Sequence, residues 1–339
     1  MISDNKTKST FLITSLIFLI LGMVVAVTRG SFNIPILDVF QAIIYKIGIG
    51  TVPSLDNEIV VWQIRLPRIF LSVIVGVALA TAGTTYQGVF RNPLVEPYLL
   101  GVSSAAAFGA AISIVLHLSF LSMQLTSFVF GMIAMIFAYS LATVKKETPL
   151  INLILSGIIV SAIFSAGLSY LKMTAGFREL RDLVFWLMGG FYTAKWGDVG
   201  LLSVLITISF ILLWSLAWKL NVLTMGDQEA QSLGVSVKKV KAVSIVLSTF
   251  ITSIAIGTVG IIAWVGLVIP HMARMTIGPD HRYLIPASAI MGGLFLVICD
   301  TLARTLTFGE IPISILTSVI AAPYLIILVR KNRNLYFGG

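Results

Sequence analysis

The chain has 339 residues, 58% of them hydrophobic and 11% charged, with a mean hydropathy of +1.00; a soluble domain carries about 25% charged residues, so a soluble globular fold is excluded, and so is a disordered chain. Cys299 is the single cysteine, which excludes a disulfide scaffold and a cysteine-based metal site. The net charge of +9 and the pI of about 9.7 do not point to nucleic acid, because lysines and arginines beside apolar spans report membrane orientation instead.

Crossing a hydrocarbon layer of about 30 Å takes about 20 apolar residues in a helix. Such runs fall at 11–28, 66–86, 94–116, 119–143, 150–171, 199–219, 241–257, 259–273, 284–303 and 311–330. They predict an all-α, polytopic membrane bundle of about ten transmembrane helices, built as one domain over residues 1–339. The seventh and eighth runs form one apolar stretch interrupted by Gly257 and Gly260, and a single bent helix there would leave nine spans. With ten spans and the N-terminus inside, 14 of the 23 lysines and arginines are cytoplasmic, Lys145 and Lys146 among them, and 9 lie outside. Nine spans would send Arg330, Lys331 and Arg333 to the face that basic residues avoid. Ten spans are therefore expected, with both termini cytoplasmic.

The first run follows Lys6 and Lys8 like a secretory signal, but it ends in AVTRG without a clean cleavage site and reads as a retained helix. In the second, Gly76, Ala80, Thr84 and Gly88 recur every fourth residue, which lets a neighbouring backbone approach closely. The polar members Thr84, Thr85 and Gln87 could alternatively line a path. The proline-rich RNPLVEPYLLG at 91–101 suggests backbone that is not simple helix, tolerated at membrane depth only against protein or a water-filled path. Asn92 there reads equally as a turn cap. The polar stretches 29–65, 172–198 and 220–240 are too short for separate domains. In the last, Met225, Ala230 and Leu233 are spaced for a short amphipathic helix, with Gly226 and Asp227 at its start and Gly234 as its stop. An exposed rigid helix between two spans suits a groove in a partner protein. Pro270 is expected to end or kink the eighth span.

No G-x-x-x-x-G-K-[ST] phosphate cradle occurs, so the chain is not expected to be an enzyme, and any ATP would be bound by another subunit. Of the 14 acidic residues only Asp300 sits well within an apolar run, four positions before Arg304 in the order that favours a helical ion pair. His117, His271 and His281 are too scattered for a recognisable metal site. An ion-driven secondary carrier, the second reading, lacks the intramembrane carboxylates such a carrier uses.

Three stretches together resemble the FecCD-type permeases of bacterial ABC importers for iron-siderophores, haem and cobalamin. They are IRLPRIFLSVIVGVALATAGTTYQGVFRNPLVEPYLLGVSSAAAFGA at 64–110, GDQEAQSLGV at 226–235, and WVGLVIPHMARMTIGPDHRYLIPASAIMGGLFLVICDTLARTL at 264–306, followed by EIP at 310–312. The resemblance implies a homodimer with the pathway along its two-fold axis in the bacterial inner membrane. It also implies two cytoplasmic ATP-binding cassette subunits that carry ATP and magnesium, and a substrate-binding protein outside; this chain itself holds no cofactor. Gly226, Asp227, Glu229, Ala230, Leu233 and Gly234 match the segment that couples to the ATPase. Arg65, Arg68 and Arg304 match the arginines that dock the binding protein, as exposed forks for its carboxylates. Asn92 and Leu94 match the cytoplasmic gate, and His271 and Arg274 lie where the ATPase is touched. The chain departs from the family at GIIAW, 260–264, where a Gly-Pro-Ile-Gly-Phe run is common, and after EIP, where isoleucine and Ser314 stand in place of glycine. Some relatives carry molybdate or tungstate, so the cargo stays open between a chelate and an oxyanion.

Overall fold

In the computed structural model the described residues are 4–30, 32, 34–46, 48, 54–143, 149–307 and 309–331. Lys145, Lys146 and Arg333 of the charge count lie outside them. The helices are α1 (Asn5–Thr28), α2 (Ile36–Lys46), α3 (Leu55–Ile59), α4 (Leu66–Val89), α5 (Val102–Val115), α6 (Phe120–Ala142), α7 (Leu150–Thr174) and α8 (Phe177–Leu187). They continue with α9 (Trp196–Ser215), α10 (Ala217–Leu223), α11 (Asp227–Ser232), α12 (Val237–Val259), α13 (Val265–Ile277), α14 (His281–Thr305) and α15 (Ile313–Lys331). Residues Val60–Arg65 form a π-helical turn that joins α3 to α4 without a break.

Among the described residues seven helices are long and apolar enough to cross a membrane, and three shorter apolar helices, Val102–Val115, Val265–Ile277 and Ile313–Ile327, overlap the predicted spans 94–116, 259–273 and 311–330. The first is short because residues 92–101 are irregular, with one 3-10 turn at Pro97–Leu100 and left-handed Gly101, as the prolines led us to expect. The stretch 241–273 is two helices: Gly260 (φ +75°) ends α12, and residues 260–264 run as buried or half-buried irregular chain to left-handed Trp264. A side chain at Gly260 would strike the Trp186 carbonyl, so backbone passes against backbone there. Pro270 does not end α13, which runs through it to Ile277. The stretches 29–65 and 172–198, read from sequence as polar connections, contain α2 and α8, amphipathic helices whose inward residues are Val39, Ala42 and Leu183.

α4, α12 and α14 form the interior, while α1, α7 and α9 are mostly exposed and apolar all round, as lipid contact requires. The small-residue stripe of α4 is a packing face. A Cβ on Gly76 would lie 2.2 Å from the Gly292 carbonyl of α14, and one on Gly83 would lie 1.9 Å from the Gly266 carbonyl of α13. Helices in hydrocarbon gain their association from such contact between backbones.

Helix α4, 24 residues long, rises about 36 Å, and each of its ends gathers one set of connections. At its start Arg65 reaches the end of α1, Trp196 bonds the Trp62 carbonyl, and Arg68 meets Asp300 and Glu310. At its finish Arg91 meets Asp227, Asn221 bonds Asp280, Trp214 bonds the Arg282 carbonyl, and Lys8 lies over the Tyr283 ring. These groupings lie at opposite ends of α4.

Candidate functional site

At the first end an ionic cluster surrounds Asp300, which is 1% exposed. Its carboxylate accepts from Arg68 Nε at 2.7 Å and pairs with Arg304 Nε at 3.1 Å, one turn further along α14. The Arg68 Nη1 donates to both Glu310 oxygens at 2.8 and 2.9 Å. The remaining donors turn toward α1. Arg65 donates to the Val27 and Phe32 carbonyls, and Arg304 to those of Arg29 at 3.0 Å and Ala26 at 3.2 Å. A helix ends with four carbonyls that its own N–H groups do not reach, and the partial negative charge of that end favours cations. Two guanidiniums therefore cap α1, at a place where lipid could not.

This corrects the expectation for the three arginines. Arg65, Arg68 and Arg304 are 3–5% exposed rather than open forks, and their guanidiniums bond within the chain. Glu310, 40% exposed at its side chain, is the part of the cluster that reaches the surface. Beside it a cavity of about 300 Å³ is lined by Arg68, Phe185, Gly190, Tyr192, Glu310 and Pro312. Burial and the nearby Glu310 raise the Tyr192 phenol above its usual range.

At the other end α11 is a short helix held by glycines at both flanks, Gly226 (φ +137°) and Gly234 (φ +78°). The start and stop predicted from sequence are those observed. Ala230 is wholly buried, whereas Met225 and Leu233 are 65% and 55% exposed and Glu229 is exposed. The apolar residues thus divide, Ala230 against the bundle and the other two outward. Asp227 faces its own chain: its carboxylate pairs with Lys241 of α12 at 2.6 Å and with Arg91 at 3.3 Å.

Asn221 of α10 makes a second joint. Its Oδ1 accepts from the His281 N–H at 2.8 Å and lies 2.8 Å from His281 Nδ1, while its Nδ2 donates to Asp280 at 2.6 Å. Desolvation alone would raise the Asp280 pKa, but hydrogen bonds from Arg282 and Asn221 outweigh it and hold the carboxyl at about 2.

Two of the path candidates are buried within the subunit. Thr84 and Gln87 are 0% and 2% exposed, inside the subunit, so neither lines its surface. Pro270 leaves the Gly266 carbonyl without its helical donor. Gln87 Nε2 covers that carbonyl and the Leu267 carbonyl with long bonds of 3.5 and 3.4 Å, while its Oε1 accepts from Arg274 at 3.1 Å. Arg274 therefore ties α13 to α4, and His271 packs edge-on against Tyr324 with its Nε2 shut off from solvent. Both are half-buried and make contacts within the chain. Asn92 accepts from the Leu94 N–H at 2.8 Å, the cap reading, and Leu94 is 46% exposed.

Sequence reasoning missed Arg91, Lys241 and Asn221 as joints and Glu310 as the outer member of the cluster. It also missed Glu96, a carboxyl 8% exposed in the irregular 92–101 connection. For Glu96 a signal existed, since it stands one residue before Pro97 inside an otherwise apolar run. The others pair across 14 to 242 residues of chain and have no local signature.

A model of the FecCD transport family matches residues 17–331. The chain is 38% identical to the cobalamin import system permease protein BtuC of Halobacterium salinarum over 91% of this chain and 82% of that one. It is 36% identical to the molybdate import system permease protein MolB of Haemophilus influenzae over 97% of both. A solved ABC transporter of the metal-chelate type, in an inward-facing conformation, superposes with a TM-score of 0.83 at 33% identity, covering 95% of this chain and 99% of that chain.

Proposed function

Because the chain belongs to the FecCD transport family, we propose that it is the permease subunit of a binding-protein-dependent ABC importer that moves a metal chelate into the cytoplasm by alternating access. In this reading it is a single domain crossing the bacterial inner membrane ten times with both termini cytoplasmic, and it pairs with a second copy. Two ATP-binding cassette subunits, which hold ATP and magnesium, dock beneath α11, and a substrate-binding protein docks at the arginine end.

The observation that carries the reading is how α11 is presented. It is fixed to the bundle by buried Ala230 and by the Asp227 pairs, and Met225 and Leu233, which flank it, face outward. A short, firmly seated helix with an exposed apolar residue at each flank is suited to transmit a partner's rigid-body motion. The test is co-purification of the chain with its ATPase subunits. Met225→Asp with Leu233→Asp abolishes association while the thermal midpoint of the isolated chain stays unchanged; full association by that variant refutes the assignment.

For the binding protein, the engaged arginines support the outer surface from within, and Glu310 with the cavity beside it is the accessible part. Charge reversal at the arginines would break the α1 cap together with any docking. Glu310→Gln reads docking without emptying the cluster.

The cargo is read as a metal chelate because Arg68 is already neutralised by Asp300 and Glu310 and does not await an anion. The likeness to a molybdate permease over nearly its whole length favours a second reading, an oxyanion cargo. Uptake by the reconstituted complex of labelled ferric siderophore, hemin or cobalamin, but not of molybdate, separates the two.

A further inference from the structure

Arg91 stands where the chain would more easily carry glycine. α4 ends in a Schellman turn, in which the N–H of Asn92 donates to the Gln87 carbonyl at 3.1 Å and that of Arg91 to the Gly88 carbonyl at 3.3 Å. The residue after the cap in this turn is left-handed, and Arg91 has φ +52°. A Cβ is crowded in that region, which is why glycine usually fills it. Local strain kept at one position calls for a compensating use of the side chain.

The use is visible. Arg91 Nη2 lies 3.3 Å from Asp227 Oδ1 on α11, and the other oxygen of the same carboxylate holds Lys241 at 2.6 Å. Arg91 and Asp227 are 43% and 40% exposed at their side chains, and ion pairs that open to water add little stability. The value of the pair is geometric. One carboxylate joins α11 to the end of α4 and to the first turns of α12, the two most buried long helices. Immediately after Arg91 the chain enters the irregular 92–101 connection to α5.

We propose that Arg91 is a positioning residue that passes movement of α11 to α4 and the 92–101 connection through its ion pair with Asp227. The proposal rests on the reading of α11 as the element a partner ATPase moves, and the test separates the two. Three variants are compared in the full permease–ATPase complex reconstituted with its binding protein. Arg91→Gly removes the strain and the charge, Arg91→Met keeps the strain and removes the charge, and Arg91→Lys keeps both.

Cargo taken up per ATP hydrolysed is expected to fall about fivefold or more, the size of an ordinary coupling between sites, in Arg91→Gly and Arg91→Met. It should stay near the unaltered level in Arg91→Lys. The Arg91→Gly chain should unfold at the same or a higher temperature, which a residue serving only to shape the turn would not combine with lost coupling. Unchanged uptake per ATP in both Arg91→Gly and Arg91→Met overturns the proposal while leaving the role of α11 intact. Absence of ATP-dependent uptake by the unaltered complex overturns both.

Discussion

Asp300→Ala tests the ionic cluster most directly, because it removes the anion at the centre and leaves the cations in place. The carboxylate holds Arg68 Nε at 2.7 Å and Arg304 Nε at 3.1 Å, all three residues being at most 5% exposed. A hydrogen bond to a charged group contributes about 1.5–3 kcal/mol, so losing the Arg68 bond together with the Arg304 ion pair costs about 3 kcal/mol or more. Breaking a buried pair from one side gives a similar figure, about 3–5 kcal/mol. Arg68→Met should cost less, about 1.5–3 kcal/mol, since Asp300 keeps Arg304 and the half-exposed Glu310 turns to water. The double variant should cost less than the sum of the two, with a coupling of about 0.5–3 kcal/mol. The assay is unfolding of the purified chain in mild-detergent micelles titrated with dodecyl sulfate, read by helical circular dichroism. An Asp300→Ala cost below about 1 kcal/mol, or one no larger than that of Arg68→Met, refutes the account of a desolvated, mutually dependent cluster.

Further consequences follow from the packing and from the second joint. Gly83→Ala puts a Cβ 1.9 Å from a backbone carbonyl that cannot turn aside; it should lower stability by at least about 1–3 kcal/mol and reduce the yield of folded protein. Gly197→Ala, with nothing within 4 Å of the new methyl, is the control, expected to be neutral or slightly stabilising in the same titration. For Asp280, held at about 2, the sign is that of a depressed carboxylate. Its contribution is complete above the ordinary carboxyl pKa near 3.8 and is lost as the pH falls toward 2. Asp280→Asn should therefore cost about 1–2 kcal/mol at pH 6 after allowing for the exposed Arg282. The difference from the unaltered chain should shrink between pH 4 and pH 2; a difference independent of pH would show that charge has no part in this joint.

The amino-acid sequence by itself determined the class of molecule, the apolar runs and the boundaries of α11. Each is written locally: hydropathy over about 20 residues decides membrane insertion, and glycine with its left-handed freedom marks where a short helix starts and stops. The packing face of α4 was legible for the same reason, as small residues four apart lie on one side of a helix. The irregular 92–101 connection was announced by its prolines. Amphipathic α2 and α8 were passed over because each is 11 residues long, too short to register as an apolar run of about 20 residues.

Only the tertiary structure decided what the charged residues do. Arg65, Arg68 and Arg304 carry the same letters whether they reach outward or cap a helix. What turns Arg65 and Arg304 inward is the end of α1, tens to hundreds of residues away, whose carbonyls need donors, and what turns Arg68 inward is Asp300 with Glu310. Gln87 closes a gap left by Pro270 for the same cause, and Arg91, in left-handed backbone, pairs with Asp227 of a distant helix. A buried or strained polar group takes its partner from whatever the fold brings near, and that proximity is a property of three dimensions that no local pattern encodes.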